Sequence, residues 1–133
     1  MKKLFLLLVV AFLAANVQAQ DVFEEDESKT PEERAKTQTT RLDEKLDLSA
    51  DQEVKIEAIN LNTVKEMDII RADAKTQKEA GNFNAQVYRQ KRREIQKERV
   101  NEIRAELDDT QKEKFNEILS ESRDNRQEKR KNR

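Results

Sequence analysis

The chain has 133 residues, with 27 Lys and Arg against 28 Asp and Glu, one Gly, one Pro and no Cys, His or Trp. Without Cys or His, the common zinc, haem and copper ligand sets are missing, as are disulfides, a thiol nucleophile and the usual general base near neutral pH. A single Gly provides no phosphate-cradling loop, and so few turn residues exclude an all-β fold, leaving a long-helix protein or a disordered chain.

The first 19 residues read as a secretory signal peptide. Lys2 and Lys3 precede an apolar run over residues 4–15, and Val17 and Ala19 place small side chains before a cleavage point after Ala19. As a helix that run would span about 18 Å, short of the roughly 30 Å hydrocarbon core, so no stable membrane anchor is expected. Lipid attachment would need a Cys after the run. The remaining 114 residues keep 25 basic and all 28 acidic side chains, a net charge of −3. Leu, Ile, Val and Phe number 21 among them, so any core must be thin.

Residues 20–29 form an acidic leader with Asp21, Glu24, Glu25, Asp26 and Glu27. It has no helical period, and disorder is expected, although Val22-Phe23 offers an apolar pair for docking. Four helix starts follow. Thr30-Pro31-Glu32-Glu33 is a capping box with Pro at the first helical position. Ser49 with Gln52 is a second box, Asp108 with Gln111 a third, and Asn84 caps the fourth start after Gly81, with Phe83 stapling onto Tyr88. These signals predict helices over 31–46, 50–79, 85–106 and 109–128. The second would be about 45 Å long and the third about 33 Å, so the body is elongated. Residues 123–133 carry no apolar side chain and are expected to fray.

The helix over 50–79 carries two apolar stripes. Ile56, Ile59, Met67 and Ile70 fall on one side, and Val54, Ala58, Leu61 and Ile69 lie roughly opposite. One stripe is expected inside the protomer; the other calls for a second chain, a further helix or a bound client. Over residues 85–104, seven basic side chains face Glu94, Glu98 and Glu102, a net charge of +4. Met67, Ile70, Arg89, Arg92, Arg93, Ile95 and Arg99 are therefore the candidate client-binding residues: basic charge attracts acidic, unfolded chains and scattered apolar side chains hold them. A solvated face is the alternative, although Arg89–Arg93 and Glu98–Glu102 repel at helical spacing.

Leu48-Ser49-Ala50-Asp51-Gln52 recurs as Leu107-Asp108-Asp109-Thr110-Gln111, 59 residues on, and the match continues through Lys55 and Lys114, Ile56 and Phe115, Ile59 and Ile118. In both copies Leu packs before the helix, Ser or Asp caps it and Gln closes the box. Two well-capped helices of unrelated role would share much of this. Together with the export signal and the Cys-free, charged composition, the repeat resembles the Leu-Thr-x-x-Gln motif of the Spy/CpxP group of periplasmic proteins. Ser49 and Asp108 stand where that group has Thr, and both remain competent caps. The resemblance covers roughly residues 30–120.

The resemblance implies an all-α, cradle-shaped antiparallel homodimer of four long helices in the periplasm. It implies ATP-independent chaperoning of unfolded envelope proteins, or an adaptor role on an envelope-stress sensor kinase's periplasmic domain. No catalytic residue, cofactor, metal or nucleic-acid partner is expected. No nucleophile–base pair can be named, the metal-binding branch needs His or Met, and export with a net negative charge counts against nucleic acid.

Overall fold

The structure is a computed structural model that describes residues 21–132. The signal-peptide reading falls on residues 1–19, outside the described residues. The fold is all-α: α1 Pro31–Leu46, α2 Ala50–Glu79, α3 Ala85–Ala105 and α4 Asp109–Lys131, with no strand among the described residues. None of these helices is long and apolar enough to cross a membrane.

The helix starts arise from the cap chemistry. Thr30 Oγ1 accepts from the Glu33 amide at 3.2 Å, and the Glu33 carboxylate accepts from the Thr30 amide at 2.9 Å. The same reciprocal pair joins Ser49 with Gln52 and Asp108 with Gln111. Asn84 Oδ1 accepts from the Gln86 and Val87 amides at 3.0 and 3.1 Å, and the Phe83 and Tyr88 rings lie 5.8 Å apart. Each cap satisfies amide groups that a helix start leaves without partners. Gly81 ends the second helix region with φ +76°, a left-handed conformation in which a Cβ is unfavourable. Asp47 takes the same conformation after α1, with φ 53°.

α1 packs on α2, α2 on α3 and α4 on α1. The central apolar cluster draws Leu42 and Leu46 from α1, Ile56 from α2, Ile103 from α3 and Phe115 and Ile118 from α4, with Leu48 and Leu107 from the connections. Ile59 packs at its margin, while Val64 and Met67 lie buried further along α2.

Two expectations are corrected. The leader is not disordered: Val22 is 1% exposed and Phe23 9%, and both belong to the core cluster. The Phe23 ring meets Phe115 edge-on, with centroids 6.5 Å apart. Burying two such side chains contributes about 1.5–3 kcal/mol each, which offsets part of the cost of ordering a short segment. Asp21 Oδ1 accepts from the Phe23 amide at 3.1 Å, and Arg41 donates to the Asp21 and Glu24 carbonyls at 3.2 and 3.4 Å. The basic tail does not fray at residue 123, because α4 continues to Lys131. Its composition is strongly helix-forming, its last turn sets Lys129, Arg130 and Lys131 against the negative end of the helix dipole, and Arg126 pairs with Asp21 at 2.5 Å.

Candidate functional site

The repeated motif assembles into one joint. Gln52 Nε2 donates to Gln111 Oε1 at 2.8 Å, and Gln111 Nε2 donates to Gln52 Oε1 at 3.0 Å. Each amide also serves a helix end from the other copy's surroundings. Gln52 Nε2 donates to the Glu106 carbonyl at 2.8 Å, while Gln111 Nε2 reaches the Leu46 and Asp47 carbonyls at 3.3 and 3.2 Å. The Gln of each copy thus closes its own capping box and satisfies a carbonyl left open where a preceding helix stops. Leu48 and Leu107 are buried beneath this joint, with Ser49 and Asp108 exposed above them. The six motif residues therefore fasten α1, α2, α3 and α4 to one another at one end.

A buried polar layer crosses the middle of the helices. Arg99 is 1% exposed. Its Nε and Nη2 donate to Asn60 Oδ1 at 2.9 and 2.6 Å, and Nη2 also donates to Gln38 Oε1 at 2.6 Å. Asn60 Nδ2 in turn donates to Thr39 Oγ1 at 2.9 Å. The Arg99 guanidinium lies 3.9 Å over the Phe23 ring, a cation–π contact made stronger by desolvation. Burial outweighs the opposing pull of the Glu25 and Asp21 charges and lowers the guanidinium pKa to about 9. Arg99 Nη1 has no hydrogen-bond partner among the described residues.

This layer corrects one predicted client contact: Arg99 faces the interior and cannot meet a client on this structure, while Met67, 2% exposed, is buried beneath a groove lined by Arg89, Arg92 and Arg93. The signal for Arg99 was present in the sequence: Ile95, Arg99 and Ile103 follow one another at a spacing of four, so Arg99 sits on the apolar seam of α3. Gln38 and Asn60 occupy equivalent seam positions on α1 and α2.

The remaining candidates divide between two places. Arg89, Arg92 and Arg93 are exposed on α3 and line a groove of about 660 Å³. Arg71 from α2 and Arg126 and Arg130 from α4 complete its rim, with Phe23 and Met67 at its base. The Arg92 guanidinium lies 5.8 Å from the Tyr88 ring. Ile70 is half-buried near Phe83, Val87 and Tyr88, where α2 meets the start of α3, and Ile95 is half-buried on α3. Beside the groove runs an ion-pair ladder that sequence reasoning did not find. Arg34, 5% exposed, holds Asp68; Asp68 holds Arg71 at 2.9 Å; Arg71 holds Glu25, and Glu27 at 3.2 Å. The hydrogen bonds from Asp68 keep the Arg34 guanidinium above its ordinary value. Partners 34 and 46 residues apart leave no local pattern in a sequence.

The opposite face of α2 is bare. Val54 is 71% exposed and Ile69 68%, with Ala58 exposed between them, whereas Ile56, Asn60, Thr63, Val64, Met67 and Ala74 are buried. Of the two stripes, the one through Val54, Ala58, Leu61 and Ile69 is therefore the more exposed, with Leu61 half-buried. Among the described residues, no group of three or more Asp or Glu side chains is placed to hold a metal ion. The described surface thus carries an arginine-lined groove on one side and exposed apolar side chains of α2 on another.

No curated protein and no solved structure matches the chain. One family model does, over residues 19–133, under the description "Domain of unknown function (DUF4890)". That match takes in all four helices and the leader, and the chain belongs to the DUF4890 family.

Proposed function

We propose that this protein is a periplasmic, ATP-independent holdase chaperone for unfolded or partly folded envelope proteins. The observation that carries the reading is the uncovered face of α2, where Val54 and Ile69 are 71% and 68% exposed on a helix whose other side is packed. Val54, Ala58 and Ile69 lie on the same side of α2, and this supports a contact surface there. The basic groove supplies the complementary property. Arg89, Arg92 and Arg93 attract acidic segments of a client from a distance, and the separate apolar face takes its apolar segments weakly enough for release. The paired motif joint supports the resemblance to the Spy/CpxP group, since both copies meet and brace one end of the helices.

The same resemblance supports an antiparallel helical cradle that pairs as a homodimer. Thr39 bonds Asn60, and Glu32 pairs with Lys65, so α1 and α2 run in opposite senses on this reading. Export depends on residues 1–19 acting as a cleaved signal.

Purified residues 20–133 should delay light scattering from a reduced or heated client at near-stoichiometric ratio without nucleotide. Unchanged aggregation at several-fold excess would remove the chaperone reading. One observation favours an alternative role as an adaptor on a sensor kinase's periplasmic domain: the arginines converge on one defined groove instead of spreading over the surface. Crosslinking in the envelope separates the two, because an adaptor yields one saturable partner and a holdase a broad set of unfolded proteins.

A further inference from the structure

Six cations line the groove, and all six are Arg, in a chain that has 15 Lys and 12 Arg. The planar guanidinium fork pairs with carboxylates through two parallel hydrogen bonds, which the point charge of Lys does not match. Two of the six already hold carboxylates of the protein's own leader. Arg126 takes Asp21 through Nε at 2.8 Å and Nη2 at 2.5 Å, and Arg71 takes Glu25 and Glu27. Arg89, Arg93 and Arg130 make no ion pair among the described residues, and all three open onto the same groove.

The leader is seated unevenly. Val22 and Phe23 are anchored in the core. Beyond them, Glu25 Oε1 is buried without a hydrogen-bond partner, and the side chain of Glu27 is 71% exposed. A buried carboxylate oxygen without a donor weakens the segment that carries it. The part of the leader that touches Arg71 is therefore held by charge with an imperfect fit, next to arginines that have none.

We infer that the leader is a built-in competitor for this groove: its carboxylates occupy Arg71 and Arg126, and an acidic peptide segment binds by taking the free arginines and displacing the stretch around Glu25 and Glu27. The anchored Val22-Phe23 pair stays in place, so the competing stretch remains tethered beside the site. This rests on the chaperone reading for its biological setting, and it adds what the groove selects and what restrains it.

The test uses the full chain of residues 20–133 and, as probe, a fluorescein-labelled peptide of residues 21–29 supplied in trans. A control peptide carries Asn and Gln in place of its Asp and Glu. Anisotropy should show binding of the acidic peptide that weakens with salt, and none of the control. Glu25→Gln with Glu27→Gln leaves Asp21 and the leader's apolar anchor intact and should tighten probe binding about three-fold, the scale of a partly exposed ion pair. Arg92→Glu with Arg93→Glu, both exposed, should weaken it about ten-fold or more. Unchanged affinity in the leader variant overturns the competition, and unchanged affinity in the arginine variant overturns the site. Capture of inorganic polyphosphate in preference to the peptide also overturns the choice of ligand. Aggregation of a client poor in acidic residues is followed in parallel: loss of protection there, with peptide competition intact, removes the chaperone reading alone.

Discussion

Arg99 shows how a charge placed on an apolar seam organises its neighbours. It gathers Gln38 from α1, Asn60 from α2 and the Phe23 ring from the leader around one guanidinium. Arg99→Ala removes the donors and leaves two buried amide oxygens without partners, a cost of about 1–3 kcal/mol for each acceptor. The expected outcome is a clear drop in the urea midpoint, with Arg99→Lys recovering only part of it because Lys lacks the fork. Asp47 presents the opposite case. It holds φ 53° after α1 for its carbonyl and backbone position, with its side chain exposed. Asp47→Gly should raise stability by about 0.5–1 kcal/mol, read by thermal unfolding, because glycine adopts this conformation freely. Acid sensitivity should appear at the Thr30 cap. Bonds from the Thr30 amide and hydroxyl hold the Glu33 carboxyl below its ordinary value. A folded value below the unfolded one means this contribution is complete above the ordinary glutamate range and disappears as pH falls through the folded value. An acid titration of helicity in Glu33→Gln should lack that component, since Gln closes the box at any pH.

At the scale of elements, caps made the helix boundaries readable. Thr30, Ser49, Asn84 and Asp108 are the observed N-caps, and three of the four helices end where Leu46, Glu79 and the turn before Leu107 indicate. These signals are local, so a sequence displays them. The leader escaped because two apolar residues establish no period, and its docking depends on Phe115, Arg71 and Arg126 far along the chain. The length of α4 escaped because its final turns are stabilised by dipole and tether instead of apolar burial. The groove was half legible: Arg89, Arg92 and Arg93 announced a basic face of α3, while Arg71, Arg126 and Arg130 joined it only through folding. The repeat was visible, but the hydrogen bonds between its two Gln residues were not. That bond pair should couple the copies energetically. In a double-mutant cycle, Gln52→Ala and Gln111→Ala should each destabilise the chain. Their combination should fall short of the sum by about 0.5–3 kcal/mol, the range for residues in direct contact. Additive losses would show that the joint does not act as a unit.

Over the whole molecule, a thin core is spread along long helices, and the remaining apolar surface lies outside. The motif joint braces one end, the Arg99 layer ties the middle, and the leader straps α2, α3 and α4 together on one flank. On the opposite face of α2, Val54 and Ile69 are exposed. The exposure of Val54 and Ile69 means that substitutions there should shift stability by less than about 0.5 kcal/mol while changing what the protein binds. The most direct measurement is photo-crosslinking of a reduced, unfolded client to chains of residues 20–133 that carry a photoreactive phenylalanine analogue at Ile69, Arg93 or Lys36. Client adducts are expected from the positions at Ile69 and Arg93 without nucleotide, with little from Lys36 on the exposed side of α1. Adducts absent from all three positions, or equal at all three, would contradict a holding surface built from the bare face of α2 and the arginine groove.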